Sequence, residues 1–254
     1  MKSLLLSIFI SLLAIELVKS KKVSNLRKNT YSSEEYLTYS KMSGNDLKKY
    51  LLKSNIYVVD TRDLTVSALG YLPMTILCPA SMYSWLTVIV PSGSDIILIT
   101  DENNYQTAID SLIELQSYNL LGYAIYNDIN ESSSFSIQTV EYNPNTKESI
   151  QEIVDNGENI LDIREISEFK ETGVIAQANL IPLSTFQTDY KKIPSNGNVY
   201  VYCRSGMRAV VGMTYAKRGG YTNRMVIMTG GMNKAIEEGY PLVPYVEQYN
   251  KSDN

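Results

Sequence analysis

Histidine is absent from the 254 residues and cysteine occurs twice, as Cys78 and Cys203. Without an imidazole, His-ligated zinc hydrolases, Ser-His-Asp and Cys-His relays and histidine acid–base work are all excluded. Chemistry here must run on Cys, Asp, Glu, Lys, Tyr or the backbone. Two cysteines without CxxC spacing are too few for a disulfide framework or a structural zinc site, leaving two free thiols or one bridge. Cys203 has the setting of a nucleophile. It closes the apolar run Val199-Tyr200-Val201-Tyr202 and opens Cys203-Arg204-Ser205-Gly206-Met207-Arg208, after which Ala209, Gly212, Met213 and Ala216 mark one face of a helix. A tight loop running into a helix N-terminus turns successive N–H groups on one point, a cradle for negative charge. Such a cradle favours thiolate, the reactive form, over thiol. Arg204 and Arg208 add fixed positive charge on both sides. The cradle suits a small anion such as thiosulfate, or the terminal sulfur of a persulfide on Cys203.

The elements that position this loop are written twice, with an offset of about 103 residues. Tyr57-Val58-Val59-Asp60-Thr61-Arg62 matches Ile160-Leu161-Asp162-Ile163-Arg164, and each follows a helix-like stretch, Asn45 to Lys53 and Lys147 to Asp155. Gly70 then faces Gly173, Pro79 faces Pro182, and the apolar run at Ile96–Ile99 faces the one at Val199–Tyr202. Apolar runs alternating with helices argue for two α/β domains, each a mainly parallel sheet flanked by helices. Where the second copy has Cys203, the first has Thr100 or Asp101, then Glu102-Asn103-Asn104. An acid there cannot carry sulfur and repels an anion, so the first copy reads as inactive. Cys78 aligns with Ile181, a core strand position. Asp162 and Arg164 read as supporting residues: acids at strand ends cap turns or pair with a nearby base, and the sharper expectation is that Asp162 pairs with a loop arginine and fixes the cradle's shape.

Composition restricts partners. Apolar residues make up 44%, charged residues 20%, and the net charge is −4. That is a globular balance without the basic face that nucleic-acid binding requires. At the N-terminus, Lys2, the apolar run Leu4 to Ile15 and Val18-Lys19-Ser20 have the layout of a secretory signal peptide. A helix over Leu4 to Val18 spans only about 22 Å, short of a bilayer core of roughly 30 Å. The expected location is therefore the secretory pathway or outside the cell, with an uncleaved membrane anchor as the alternative. Asn130-Glu131-Ser132 and Asn250-Lys251-Ser252 are glycosylation sequons. The expected layout is a signal peptide over 1–20, a polar linker over 21–44, an inactive domain over 45–126, a second linker over 127–146 and a catalytic domain over 147–246.

The second copy resembles the rhodanese-type sulfurtransferases. Cys203-Arg204-Ser205-Gly206-Met207-Arg208 is similar to that family's active-site loop, and Leu161-Asp162-Ile163-Arg164-Glu165 with Glu168-Phe169 resembles its first strand motif. Gly173 to Pro182 resembles its Gly-His-Ile-Pro-Gly-Ala-x-Asn-Ile-Pro signature, departing at Val174, Ala176 and Gln177. Gly220-Tyr221, Met228-Thr229-Gly230-Gly231-Met232 and Gly239-Tyr240-Pro241 match the closing turns. The first copy is more weakly similar to the first of two rhodanese repeats that follow a metallo-β-lactamase domain in some bacterial persulfide dioxygenase-like proteins. With no histidine, no such hydrolase domain is expected.

This resemblance implies a tandem rhodanese-like fold and sulfane-sulfur transfer by double displacement, with Cys203 as carrier. Arg204 and Arg208 would bind the donor, thiosulfate or a persulfide. A thiol, cyanide or a protein would accept the sulfur, and neither metal nor organic cofactor is implied. Phosphatases and arsenate reductases on the same fold use Cys-x5-Arg, whereas this loop is Cys-x4-Arg, which leaves room for a sulfur atom rather than a phosphate. The other alternative is a non-catalytic relay or binding module whose thiol is loaded by one partner.

Overall fold

The computed structural model of the chain describes residues 39–132 and 135–247. The expected signal peptide and the Asn250 sequon lie outside the described residues. The first half builds a four-stranded parallel sheet from β1 (Ile56–Asp60), β2 (Thr75–Leu77), β3 (Asp95–Thr100) and β4 (Asn119–Ile125), in the order β2-β1-β3-β4. The second half adds β5 (Glu141–Pro144), β6 (Asn159–Asp162), β7 (Asn179–Leu180), β8 (Val199–Tyr202) and β9 (Met225–Thr229), in the order β5-β9-β8-β6-β7. Among the described residues, every pairing between these strands is parallel. This α/β architecture is what alternating apolar runs and helices predict. Burial on both faces explains the continuous apolar sequence of the central strands: Ile96, Ile97, Leu98 and Ile99 are all fully buried.

The two halves agree down to single hydrogen bonds. Cys78 N–H donates to Asp60 O at 2.9 Å, and Ile181 N–H to Asp162 O at 3.0 Å. Thr61 N–H donates to Ile99 O, as Ile163 N–H does to Tyr202 O. Met74 and Gln177 both sit at positive φ, 66° and 65°. Pro79 and Pro182 each open a short 3-10 turn. The stretches read as linkers also share structure. Thr146 caps the helix Lys147–Asp155 and Ser43 caps the helix Gly44–Leu51, each through its hydroxyl. β5 adds an edge strand beside β9, and Lys41 bridges Tyr123 at the equivalent edge of the first sheet. The segment 126–132 is a helix, which the sequon Asn130-Glu131-Ser132 closes.

These halves are not beads on a string. The helix Met207–Arg218 buries every residue from Ala209 to Ala216, whereas the helix Tyr105–Glu114 buries only one stripe. The reason is position: the first helix packs on β8 of its own sheet and also on β2 of the other. Leu77 N–H donates to Thr214 Oγ1 at 3.1 Å across this contact, and one apolar cluster runs from Val59 and Leu98 to Val201 and Cys203. The helix that starts at the thiol loop is therefore clamped on both faces.

Candidate active site

Cys203 follows the last residue of β8 and is 1% exposed. Gly206, at φ 99°, reverses the chain without a Cβ penalty and donates its N–H to Cys203 Sγ at 3.2 Å. The helix Met207–Arg218 begins at the next residue. Among the described residues, the N–H groups of Arg204, Ser205, Met207, Arg208 and Ala209 reach no protein acceptor. Those of Met207, Arg208 and Ala209 belong to the first turn of the helix, where N–H groups have no intrahelical partner, and beside the thiol such a turn can hold an anion. Ser205 and Met207 are exposed on either side of Gly206.

The loop is held from behind. At the start of the helix Gly231–Glu237, Met232 N–H donates to Cys203 O at 2.8 Å and Asn233 N–H to Arg204 O at 3.0 Å. So close an approach leaves no room at Gly231, where an added Cβ would lie 2.3 Å from Cys203 O and 2.9 Å from Arg204 O. The buried Asn145, just past β5, donates from Nδ2 to Gly231 O at 2.6 Å. Gly231→Ala is expected to displace the loop, adding strain of about 1–3 kcal/mol and lowering activity far more than stability. Thermal unfolding measured beside turnover separates the two effects, and wild-type turnover in this variant would show that the contact does not set the loop.

The two loop arginines differ. Arg208 makes a bidentate ion pair with Glu168, Nη1 to Oε2 at 2.7 Å and Nη2 to Oε1 at 2.6 Å. Burial lowers the Arg208 pKa, but Glu168 and the neighbouring Cys203 sulfur outweigh it and hold it above its ordinary value. Glu168 also accepts from Glu165 N–H at 2.9 Å, and Glu165 in turn takes Ser184 N–H and its hydroxyl. Arg204 is exposed and makes no ion pair among the described residues. The charge left for an anion is thus that of Arg204 and the amides.

Burial pushes the Glu168 carboxyl up, yet Arg208 and the Glu165 amide pull it net below the ordinary range. A folded-state value below the unfolded one gives stability that is present above the unfolded value, roughly 4.3, and is lost as pH falls through the folded value. The melting temperature of the wild type should therefore exceed that of Glu168→Gln near neutrality, with the gap closing below about pH 4. A constant gap from pH 7 to 3 would mean that the ion pair contributes nothing.

Asp162 pairs with a nearby base, the plainer of the two sequence readings, and not with a loop arginine, the sharper one. Arg164 takes both of its oxygens, through N–H at 3.0 Å, Nε at 3.1 and 3.0 Å and Nη2 at 2.7 Å. The near neighbour wins because a turn directly after the strand brings residue 164 back over residue 162, while Glu168 already occupies Arg208. Arg164 continues to Gly173 O at 2.8 Å, tying the strand end to the following turn. Burial pushes the Asp162 carboxyl up against the pull of Arg164. Asp60 and Arg62 repeat the arrangement, with Arg62 Nη2 donating to Gly70 O at 2.7 Å.

In the first half, Thr100 stands where Cys203 does, and Asp101 Oδ1 accepts the N–H groups of Asn103 at 3.1 Å and Asn104 at 3.0 Å. Its loop amides are filled by its own carboxylate. Cys78 is fully buried, its thiol pushed up to about 12 by burial, and neither cysteine is in a disulfide. Sequence reasoning listed Glu168 and Gly231 only as motif residues and missed Asn145. The Glu three positions after Glu165, a helix-start signature, was the available signal for the first.

The site is thus a buried thiol at the end of a parallel strand, followed by a glycine turn and a helix start, with one paired and one free arginine beside it. Residues 146–238 match the family model of the rhodanese-like domain. A sulfurtransferase of Allochromatium vinosum is 31% identical over 98 residues, 38% of this chain and 90% of that protein. Similar solved structures include a rhodanese-related protein from Thermoplasma volcanium (27% identity, TM-score 0.36, 41% of this chain and 100% of that one). Another is a thiosulfate sulfurtransferase from Pseudomonas aeruginosa (16% identity, TM-score 0.35, 81% of this chain and 43% of that one). The chain belongs to the rhodanese-like family, and is of sulfurtransferase type.

Proposed function

We propose that the chain moves sulfane sulfur from thiosulfate or a persulfide to a thiol or cyanide, carried as a persulfide on Cys203. The observation that carries this reading is the buried Cys203 sulfur, which takes the Gly206 N–H at 3.2 Å beside a helix start whose first amides are unpaired. In the first step, thiolate 203 attacks the outer sulfur of the donor. A sulfur–sulfur bond forms as the donor's own breaks, and sulfite leaves thiosulfate, or a thiolate leaves a persulfide, with the bonding electrons. The second step has the acceptor thiolate or cyanide attack the outer sulfur of the persulfide, returning the electron pair to Cys203. Covalent catalysis of this kind needs no proton relay, which suits a chain without histidine. The cradle amides stabilise the terminal sulfur's charge, and Arg204 attracts the anionic donor. Arg208, engaged by Glu168, acts by positioning the loop rather than by holding an oxyanion, which also argues against a phosphatase.

The first half would be a second rhodanese-like repeat without a carrier, its cradle closed by Asp101. That reading rests on the shared strand order and on the two Asp–Arg pairs. The N-terminal signal would direct the chain to the secretory pathway. The test is turnover to cyanide, measured separately with thiosulfate and with glutathione persulfide. Transfer from either supports the enzyme, and the preferred donor names the substrate. Failure with both, in a folded chain, would leave a relay loaded by a protein partner.

A further inference from the structure

Away from the thiol, a cleft of about 470 Å³ opens where the two halves meet, within the roughly 300–1,000 Å³ of small-molecule sites. It lies at the far end of the helix Met207–Arg218, about 16 Å along the axis from the Cys203 loop at 1.5 Å per residue. The first half supplies Lys53 and Tyr57, and the second Lys191, Tyr215 and Arg218; among the described residues no carboxylate lines it. Three cations therefore border the cleft without an acid, Lys53 with its Nζ over the neighbouring Tyr50 ring, in a chain whose net charge is −4.

Arg218 is the centre of this site. Its Nη2 donates to three carbonyls between the end of the first helix and the start of β1, Lys53 at 3.4 Å, Ser54 at 3.0 Å and Ile56 at 2.8 Å. The guanidinium lies over the Tyr57 ring, 3.8 Å from its centroid. All the carbonyl contacts converge on one nitrogen, which leaves the rest of the group to the ring and the cleft. Among the described residues no carboxylate pairs with it. Burial holds its pKa below the ordinary value, against the Tyr57 and Tyr215 hydroxyls. A half-buried cation lacking a counter-charge is costly, and neutral carbonyls offset only part of that cost. An anion from outside the described fold would supply the missing counter-charge. Leu52, 83% exposed at the rim, and the tyrosine rings give it an apolar wall.

We propose that this cleft binds a small organic anion, a flat ring bearing a phosphate, sulfonate or carboxylate, with Arg218, Lys53 and Lys191 on the charge and the tyrosines against the ring. Binding there joins the two halves and is separate from sulfur transfer. The probes are adenosine monophosphate and 8-anilinonaphthalene-1-sulfonate, titrated calorimetrically against the full chain, with inorganic phosphate as the ringless control. At least one ring-bearing probe is expected to bind one-to-one, and more weakly in high salt. Its affinity should fall at least about ten-fold in Lys191→Gln and again in Arg218→Gln. Lys191 is exposed, so its variant keeps the fold even if Arg218→Gln does not. Absence of binding by both ring-bearing probes would overturn the proposal, as would equal affinity in wild type and Lys191→Gln. Phosphate binding as tight as either ring-bearing probe would overturn the ring contact.

Discussion

Cys203→Ser is expected to remove sulfur transfer by at least about a thousand-fold while leaving the melting temperature nearly unchanged. A serine oxygen can accept the Gly206 N–H that now reaches Sγ at 3.2 Å, so the loop keeps its shape. What it cannot do is form and release a sulfur–sulfur bond, and no histidine is available to deprotonate it. Cys78→Ala is the control. That thiol is fully buried and pushed up to about 12, so its loss should touch packing and leave turnover alone. Activity that survives in Cys203→Ser and disappears in Cys78→Ala would reverse the assignment of the two cysteines.

Asp162→Asn is expected to destabilise the chain by about 3–5 kcal/mol, the cost of leaving a buried charge unpaired. Arg164 is 1% exposed, and an amide can neither neutralise its charge nor accept on both oxygens. Native stabilities are only about 5–15 kcal/mol, so a large share of the total is lost. Urea unfolding measures it, and kinetics below the transition report turnover per folded molecule, which should fall little. A loop contact, by contrast, would make the same substitution lower turnover in an intact fold. The difference is whether Asp162 meets the loop or its own strand end, and the structure has the latter. A variant as stable as wild type but slow in turnover would restore the loop contact.

The outline common to the two halves was legible because like geometry demands like residues. Asp and Arg two apart at a strand end, glycine at the turn and proline before the 3-10 turn recur in both halves. The thiol loop was legible for the same reason, since a cradle needs glycine and a following helix. β5 was not. Its sequence, Glu141-Tyr142-Asn143-Pro144, is polar, short and ends in proline, because an edge strand need satisfy only one neighbour. Asn145 was hidden with it, as a single buried amide carries no periodicity. The pairing of Arg208 with Glu168 joins residues 40 apart, and no local pattern specifies which acid meets which base. That the helix Met207–Arg218 would be buried all round depended on the two halves sharing a core, which spacing within either copy does not reveal.

The most direct test of the central claim is a single loading without acceptor. The purified chain is mixed with thiosulfate and its intact mass and peptides are measured beside released sulfite. The account predicts one added sulfur atom, located on Cys203, for each sulfite released, and its removal by cyanide. An unmodified Cys203, in a folded chain that releases sulfite and delivers sulfur to cyanide, would contradict it.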